Sequence, residues 1–220
     1  KCPYYSDGTR EGTLAKLREW SGENPIAGAM GLHIATNAKQ QTSVNNFAAE
    51  SQHGNLWCFG SVFPYAENAL EELHRIKELG LYGVKLHPDY QDFFIGYEAA
   101  LPLYAEAEKL GLPIAFHTGR DPYSPEVVHC PPDVLGRISD LFPGLTIIAA
   151  HMGGMEMPEE AAKHLAGKKN VYFDTAFASH FLNPAQFAEL VRLHGADRVL
   201  FATDCPWSTV PAERDLLEHS

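Results

Sequence analysis

Seven short apolar runs recur along the chain: PIAGAMGLHIAT (25–36), LWCFGSVF (56–63), YGVKLH (82–87), PIAFHT (113–118), LTIIAAH (145–151), NVYFDTA (170–176) and RVLFATD (198–204). Most are too short for free-standing helices and are rich in β-branched or aromatic residues, which predicts strands. They show little polar alternation, as expected of strands covered on both faces of a parallel sheet. Amphipathic segments lie between them. In AENALEELHRIKELG (66–80), Leu70, Leu73, Ile76 and Leu79 form one stripe, and Gly80 can supply the left-handed residue that ends a helix. In NPAQFAELVRLHG (183–195), Asn183 is an N-cap, Pro184 takes the first helical position and Gly195 closes the helix. A weak internal repeat pairs ELGLYGVKLH (78–87) with KLGLPIAFH (109–117), each reading as helix end, glycine, strand and histidine.

Repeated strand–helix units in one chain imply a parallel sheet with crossover helices. Seven of them, with no linker or shift in composition, predict one α/β domain over 1–220 and favour the (β/α)8, TIM-barrel-like class over an open doubly wound sheet, a choice the pattern alone does not decide. The Gly-x-Gly-x-x-Gly signature of a dinucleotide fold is absent.

His87, His117, His151, Asp174 and Asp204 each stand at or beside the C-terminal end of a strand, at intervals of 30, 34, 23 and 30 residues. In a barrel those ends converge on one mouth, where such folds build their sites. Parity agrees: His151 shares its face with Ala149 and Ile147, His117 with Ala115, and Asp204 with Ala202, so small residues lie beneath several of them. Gly119, Gly153 and Gly154 let the chain turn away sharply at the rim. A lone strand-end histidine is ordinarily a hydrogen-bonded structural residue, but two with an aspartate at three strand ends point to a shared site. Imidazole and carboxylate without thiolate suit zinc, manganese or iron(II).

Net charge is −11 with the lysines and arginines scattered, which argues against nucleic acid or an anionic membrane as partner. No apolar run approaches the ~20 residues of a membrane span, and the N-terminal stretch has no apolar segment of a secretory signal. Cys2, Cys58, Cys130 and Cys205 lack metal-knuckle or disulfide-framework spacing, which predicts reduced thiols and a cytoplasmic protein.

The motifs FHTG (116–119), AAHMGG (149–154), VYFDTA (171–176), LFATDCPW (200–207) and GVKLHPDYQ (83–91) resemble the amidohydrolase superfamily. The branch is the one containing aminocarboxymuconate semialdehyde decarboxylase. The resemblance implies that His117 is a metal ligand and that His151 polarises the metal-bound water or substrate. It further implies that Asp204 binds the metal and takes the water's proton. A divalent metal, zinc by preference, would be the cofactor and a small molecule the substrate; such barrels also form homodimers, though no feature here selects one.

One departure stands out. The family opens with a His-x-His pair on its first strand, and this sequence contains none. The run at 25–36 matches the family's second strand, so the expected barrel is incomplete, lacking the first strand and part of the last helix. Weak or absent metal binding follows as an expectation. His33 is alone on the wrong strand to substitute.

Lys85 and His87, two apart, share the interior face and are candidates for a substrate carboxylate; a lysine paired with an interior acid is the equally weighted structural reading. Arg120, just past His117, could grip a carboxylate or phosphate or be solvated on its loop. Asp174 is read mainly as capping the next loop. His53, His74, His129, His164, His180, His194 and His219 are expected at the surface. Three functions remain open: a metal-dependent hydrolase of C–N or C–O bonds, a metal-dependent decarboxylase or hydratase of a carboxylated substrate, and an inactive barrel kept for binding.

Overall fold

A computed structural model describes residues 12–24 and 26–220; Cys2 and the N-terminal stretch read above lie outside them. In chain order the elements are α1 (Leu14–Glu23), β1 (Ala29–Leu32), α2 (Gln41–Ser51), β2 (Leu56–Phe59), α3 (Ala69–Glu78), β3 (Val84–Leu86), α4 (Pro88–Gln91), α5 (Leu101–Leu110), β4 (Ile114–Phe116), α6 (Pro132–Leu141), β5 (Ile147–Ala149), α7 (Pro158–His164), β6 (Val171–Asp174), α8 (Pro184–His194), β7 (Val199–Leu200) and α9 (Val210–Glu218). All seven predicted strands are present, each shorter than its apolar run. The last helix forms over Val210–Glu218, with the Thr209 side chain capping its start.

Every paired strand is parallel to its neighbour and follows chain order: β1–β2 form one ladder and β3–β4–β5–β6–β7 the other. A bridge between Gly60 and Val84 joins the two, through Lys85 N–H donating to Gly60 O at 2.8 Å and Gly60 N–H to Gly83 O at 2.9 Å. The result is an incomplete TIM-type barrel. Among the described residues no ladder pairs β1 with β7, and apolar side chains on or next to these two strands are left exposed. Met30, Leu32, Leu200 and Phe201 are 44%, 39%, 40% and 46% exposed.

Inside, β3, β4 and β5 are almost wholly buried, because helices cover the outer face of the sheet and the barrel interior covers the other. Ile114, Ile147, Phe116, Val171 and Phe173 are inaccessible to solvent, each large side chain contributing about 1.5–3 kcal/mol by leaving water. Tyr104 of α5 packs edge-on against Phe116 and Phe142, and its hydroxyl donates to Ile95 O at 3.1 Å, so its polar atom is satisfied.

Helix ends follow the sequence closely. Asn183 and Gln186 form a reciprocal capping box on α8, with Pro184 just inside. Gly80 and Gly195 have φ of +70° and +100° beyond the ends of α3 and α8. The stripe on α3 is corrected: Leu73 and Ile76 are fully buried, but Leu70 is 40% exposed. A spacing of three drifts around a helix of 3.6 residues per turn, and Glu72 enters the interior instead. Its carboxylate accepts from Asn45, Thr42 and Arg75.

Candidate active site at the strand ends

Each of β3, β4, β5 and β6 delivers a polar group to the same mouth just as its ladder stops. Lys85, His87, His117, His151 and Asp174 are all buried. His117 and His151, 34 residues apart in sequence, meet there with His117 Nδ1 and His151 Nε2 at 3.0 Å. His151 Nδ1 lies 2.9 Å from Ala176 O. A carbonyl only accepts, so His151 Nδ1 facing Ala176 O and His117 Nε2 facing Arg120 O are each the donor where these bonds form, and the two inner nitrogens share the hydrogen bond between the rings.

The backbone beyond β5 is built to allow this. His151 and Met152 adopt φ of +58° and +52°, a left-handed conformation costing about 1–2 kcal/mol for a residue with a side chain. Asp174 offsets that cost: its Oδ1 accepts from His151 N–H at 2.9 Å and from Ala176 N–H at 3.1 Å, and its carbonyl from Met152 N–H at 2.7 Å. Its loop-capping role thus extends to holding a site histidine. Gly153 follows at φ +82°, where a Cβ would sit 2.5 Å from the Phe173 ring. These glycines answer to close approach as well as to turning.

His87 stacks on His117 with ring centroids 4.2 Å apart and on Tyr90 at 3.7 Å. Asp121, four residues after His117, completes the arrangement. Its Oδ2 is 3.3 Å from His117 Nε2 and 3.6 Å from His87 Nε2. One ligand atom from each of His87, His117 and Asp121 lies within 4.8 Å of the others, a grouping able to hold a metal ion. Asp121 escaped the sequence reading because it follows a glycine and an arginine in a loop. The signal was there in HTGRD, where a turn returns an acid beneath the histidine.

Asp204 stands outside that group. It sits at φ +60° and acts electrostatically on Lys85 and His151. Burial raises its pKa above the usual carboxylate value, with His151 and Lys85 opposing the rise. Burial also lowers the Lys85 pKa, against the pull of Asp174 and Asp204. His87 and His117 are pushed well below the ordinary histidine value, first by burial and then by neighbouring cations and imidazoles. Burial lifts Asp121 to about 6. Arg120 contributes through its backbone, its carbonyl lying 3.2 Å from His117 Nε2, while the residue itself is exposed.

Two histidines expected at the surface are buried. His129 Nδ1 bonds Asp89 Oδ1 at 2.9 Å. His194 stacks on Phe173 at 3.8 Å and bonds Val171 O at 3.1 Å. A helical or loop position says little about which way an imidazole faces once other elements cover it.

The family model described as Amidohydrolase matches residues 6–219. No curated protein matches by sequence. Among solved structures, 2,6-dihydroxybenzoate decarboxylase from Rhizobium superposes with a TM-score of 0.69 at 18% identity, covering 92% of this chain and 80% of that one. An uncharacterised TIM-barrel protein from Bordetella bronchiseptica gives 0.72 at 21% identity, with 94% and 75% covered. A dihydroxybenzoic acid decarboxylase from Polaromonas, holding manganese and the inhibitor 2-nitroresorcinol, gives 0.67 at 18%, with 93% and 78% covered.

Proposed function

This chain belongs to the amidohydrolase family, and on that basis we propose that it is a divalent-metal-dependent decarboxylase of a small, carboxylated, aromatic-type substrate. The observation that carries the reading is the 3.0 Å meeting of His117 and His151. It sets two imidazoles from neighbouring strands beside the buried Lys85 and the acids Asp121, Asp174 and Asp204.

The nitrogen and oxygen donors of His87, His117 and Asp121 fit a divalent ion such as zinc or manganese; bound there, it would supply Lewis-acid polarisation of a substrate oxygen. The chain's own groups would do the rest. Lys85 provides positive charge for an anionic substrate at the mouth. Asp174 holds the His151 backbone and the Ala176 carbonyl orients its imidazole. Asp204, with its raised proton affinity, is suited to donate a proton rather than to accept one. In decarboxylation the bond from ring carbon to carboxylate breaks and carbon dioxide leaves. The electron pair stays on the ring carbon and takes the Asp204 proton. The decarboxylases among the solved neighbours support this choice over hydrolysis. The described cysteines, Cys58, Cys130 and Cys205, are unpaired, which supports a reducing compartment.

The test is a substrate panel on the manganese- or zinc-loaded protein: hydroxybenzoates and related phenolic acids against esters, lactones and amides. Carbon dioxide release matching loss of the acid is expected, falling at least ~100-fold in His151→Asn or Asp204→Asn. Cleavage of an ester or amide with no carbon dioxide would replace this reading with the hydrolytic one. Turnover of neither class would favour a binding role.

A further inference from the structure

Resting on the role given to Asp204 above, we infer that Glu213 of α9 is a positioning residue. Its buried carboxylate clasps the loops that follow β6 and β7, and so holds Asp204 in place relative to the carbonyl that orients His151.

The need for a clasp comes from the edge of the sheet. β7 is only two residues long, Val199–Leu200, and β6 is its one ladder partner among the described residues. The ladder stops four residues short of Asp204. The Thr175 hydroxyl extends it by one step, accepting from Ala202 N–H at 2.8 Å and donating to Ala202 O at 2.7 Å. Asp204 lies two residues past that contact at φ +60°, a left-handed conformation unfavourable for a residue with a side chain. It therefore needs support from its other side.

Glu213 supplies that support. The residue is 1% exposed, and both its oxygens are engaged by the two rim loops. Oε2 accepts from Ser179 N–H at 3.0 Å, while Oε1 accepts from Ser179 Oγ at 2.7 Å and from Ser208 Oγ at 2.5 Å. Ser179 stands three residues after Ala176, whose carbonyl meets His151 Nδ1. Ser208 stands four residues after Asp204 and is itself buried. The contacts close a ring, with Thr175 and Ala202 on one side of Asp204 and Ser179, Glu213 and Ser208 on the other. Capping of α9 does not account for the acid, because the Thr209 hydroxyl caps that helix and the Glu213 side chain takes its bonds from the loops. A buried carboxylate is costly unless several donors meet it, and here every donor belongs to the rim.

Glutamine can make the same clasp. Its oxygen can accept from Ser179 N–H, and its amide hydrogens can donate to the two hydroxyls, which accept as readily as they donate. Alanine removes the clasp entirely.

The experiment is steady-state decarboxylation of 2,6-dihydroxybenzoate, as probe acid, by the manganese-loaded full chain, with amide hydrogen exchange on the same proteins. Glu213→Ala should lower kcat by ~10–100-fold, since a displaced proton donor slows the chemical step, with KM within about threefold of the parent. Glu213→Gln should restore kcat to within about threefold. Ser208→Ala leaves the acid both its Ser179 bonds and should be milder; combined with Glu213→Ala it should cost less than the product of the two separate effects. The Ser179 amide, and the Trp207 amide that donates to Asp204 O at 2.7 Å, should exchange at least ~10-fold faster in Glu213→Ala, with the β4 amides changing less. That readout needs no substrate. Unchanged kcat in Glu213→Ala overturns the inference, as does a Glu213→Gln protein as slow as Glu213→Ala, or exchange that quickens uniformly across the barrel. Local opening at Ser179 and Trp207 in a protein that releases no carbon dioxide leaves the clasp standing and removes the proposed activity. Carbon dioxide release that Glu213→Ala does not slow does the reverse.

Discussion

Gly119 is where backbone, site and stability meet, and Gly119→Ala tests all three. At φ +94° it occupies a region that residues with side chains enter at a cost of about 1–2 kcal/mol. It is also hemmed in by backbone: an added Cβ would lie 2.3 Å from Met155 N, 2.6 Å from Met155 O and 2.7 Å from Gly154 C. None of these can swing away as a side-chain tip would. Gly119 N–H donates to Cys130 O at 2.9 Å, and Met155 N–H to Thr118 O at 2.8 Å, so relief of the clash must break one of these links. Overpacking of this kind adds about 1–3 kcal/mol, for a total of roughly 2–5 kcal/mol. Gly80 is the matched control, with φ +70° and nothing within 4 Å of its Cβ position, so Gly80→Ala should cost only the backbone part, about 1–2 kcal/mol. In a chain of this size each kcal/mol lowers the melting temperature by about 2–4 °C. Thermal unfolding followed by circular dichroism should therefore drop by roughly 4–20 °C for Gly119→Ala and roughly 2–8 °C for Gly80→Ala, the two variants differing clearly when measured side by side. Because the turn at Gly119 carries Asp121 back beneath His117, metal affinity should fall as well. Equal melting temperatures for the two variants would refute the steric argument.

Two further outcomes follow from other parts of the molecule. Neutral His194 donates from Nε2 to Val171 O and accepts at Nδ1 from Gly167 N–H at 3.3 Å, and burial lowers its pKa below the ordinary value. The unfolded chain thus binds this proton more readily, so the stabilisation is present above pH ~6.5 and is lost as pH falls below it. Urea unfolding of the metal-free protein should show His194→Gln less stable at pH 7 but with a shallower decline from pH 7 to 5; a parallel decline would defeat the assignment. At the open seam, Leu200→Lys or Met30→Lys should reduce concentration-dependent association in light scattering, since charge on an exposed edge strand opposes strand-to-strand pairing. Unchanged association would show that these edges are not the sticky surface.

Much of this molecule was legible before any coordinates. The seven strands, the Asn183 cap and the closing glycines rest on interactions within a few residues, so local pattern determines them, and the parallel order follows from the repeated strand–helix units. The meeting of His117 and His151 was also legible, because strand ends in a parallel barrel share one rim. What tertiary structure alone decided is the direction of individual atoms. Asp121 reaches His117 only because the Gly119 turn is pinned to Met155 and Cys130. Ser179 and Ser208 are tied together only because Glu213 of α9 accepts from both. Leu70 faces water while Glu72 is buried for the same kind of reason: partners distant in sequence cover one face and leave the other. Periodicity places a residue on an element; the contacts made across the fold choose which of its atoms is free to act.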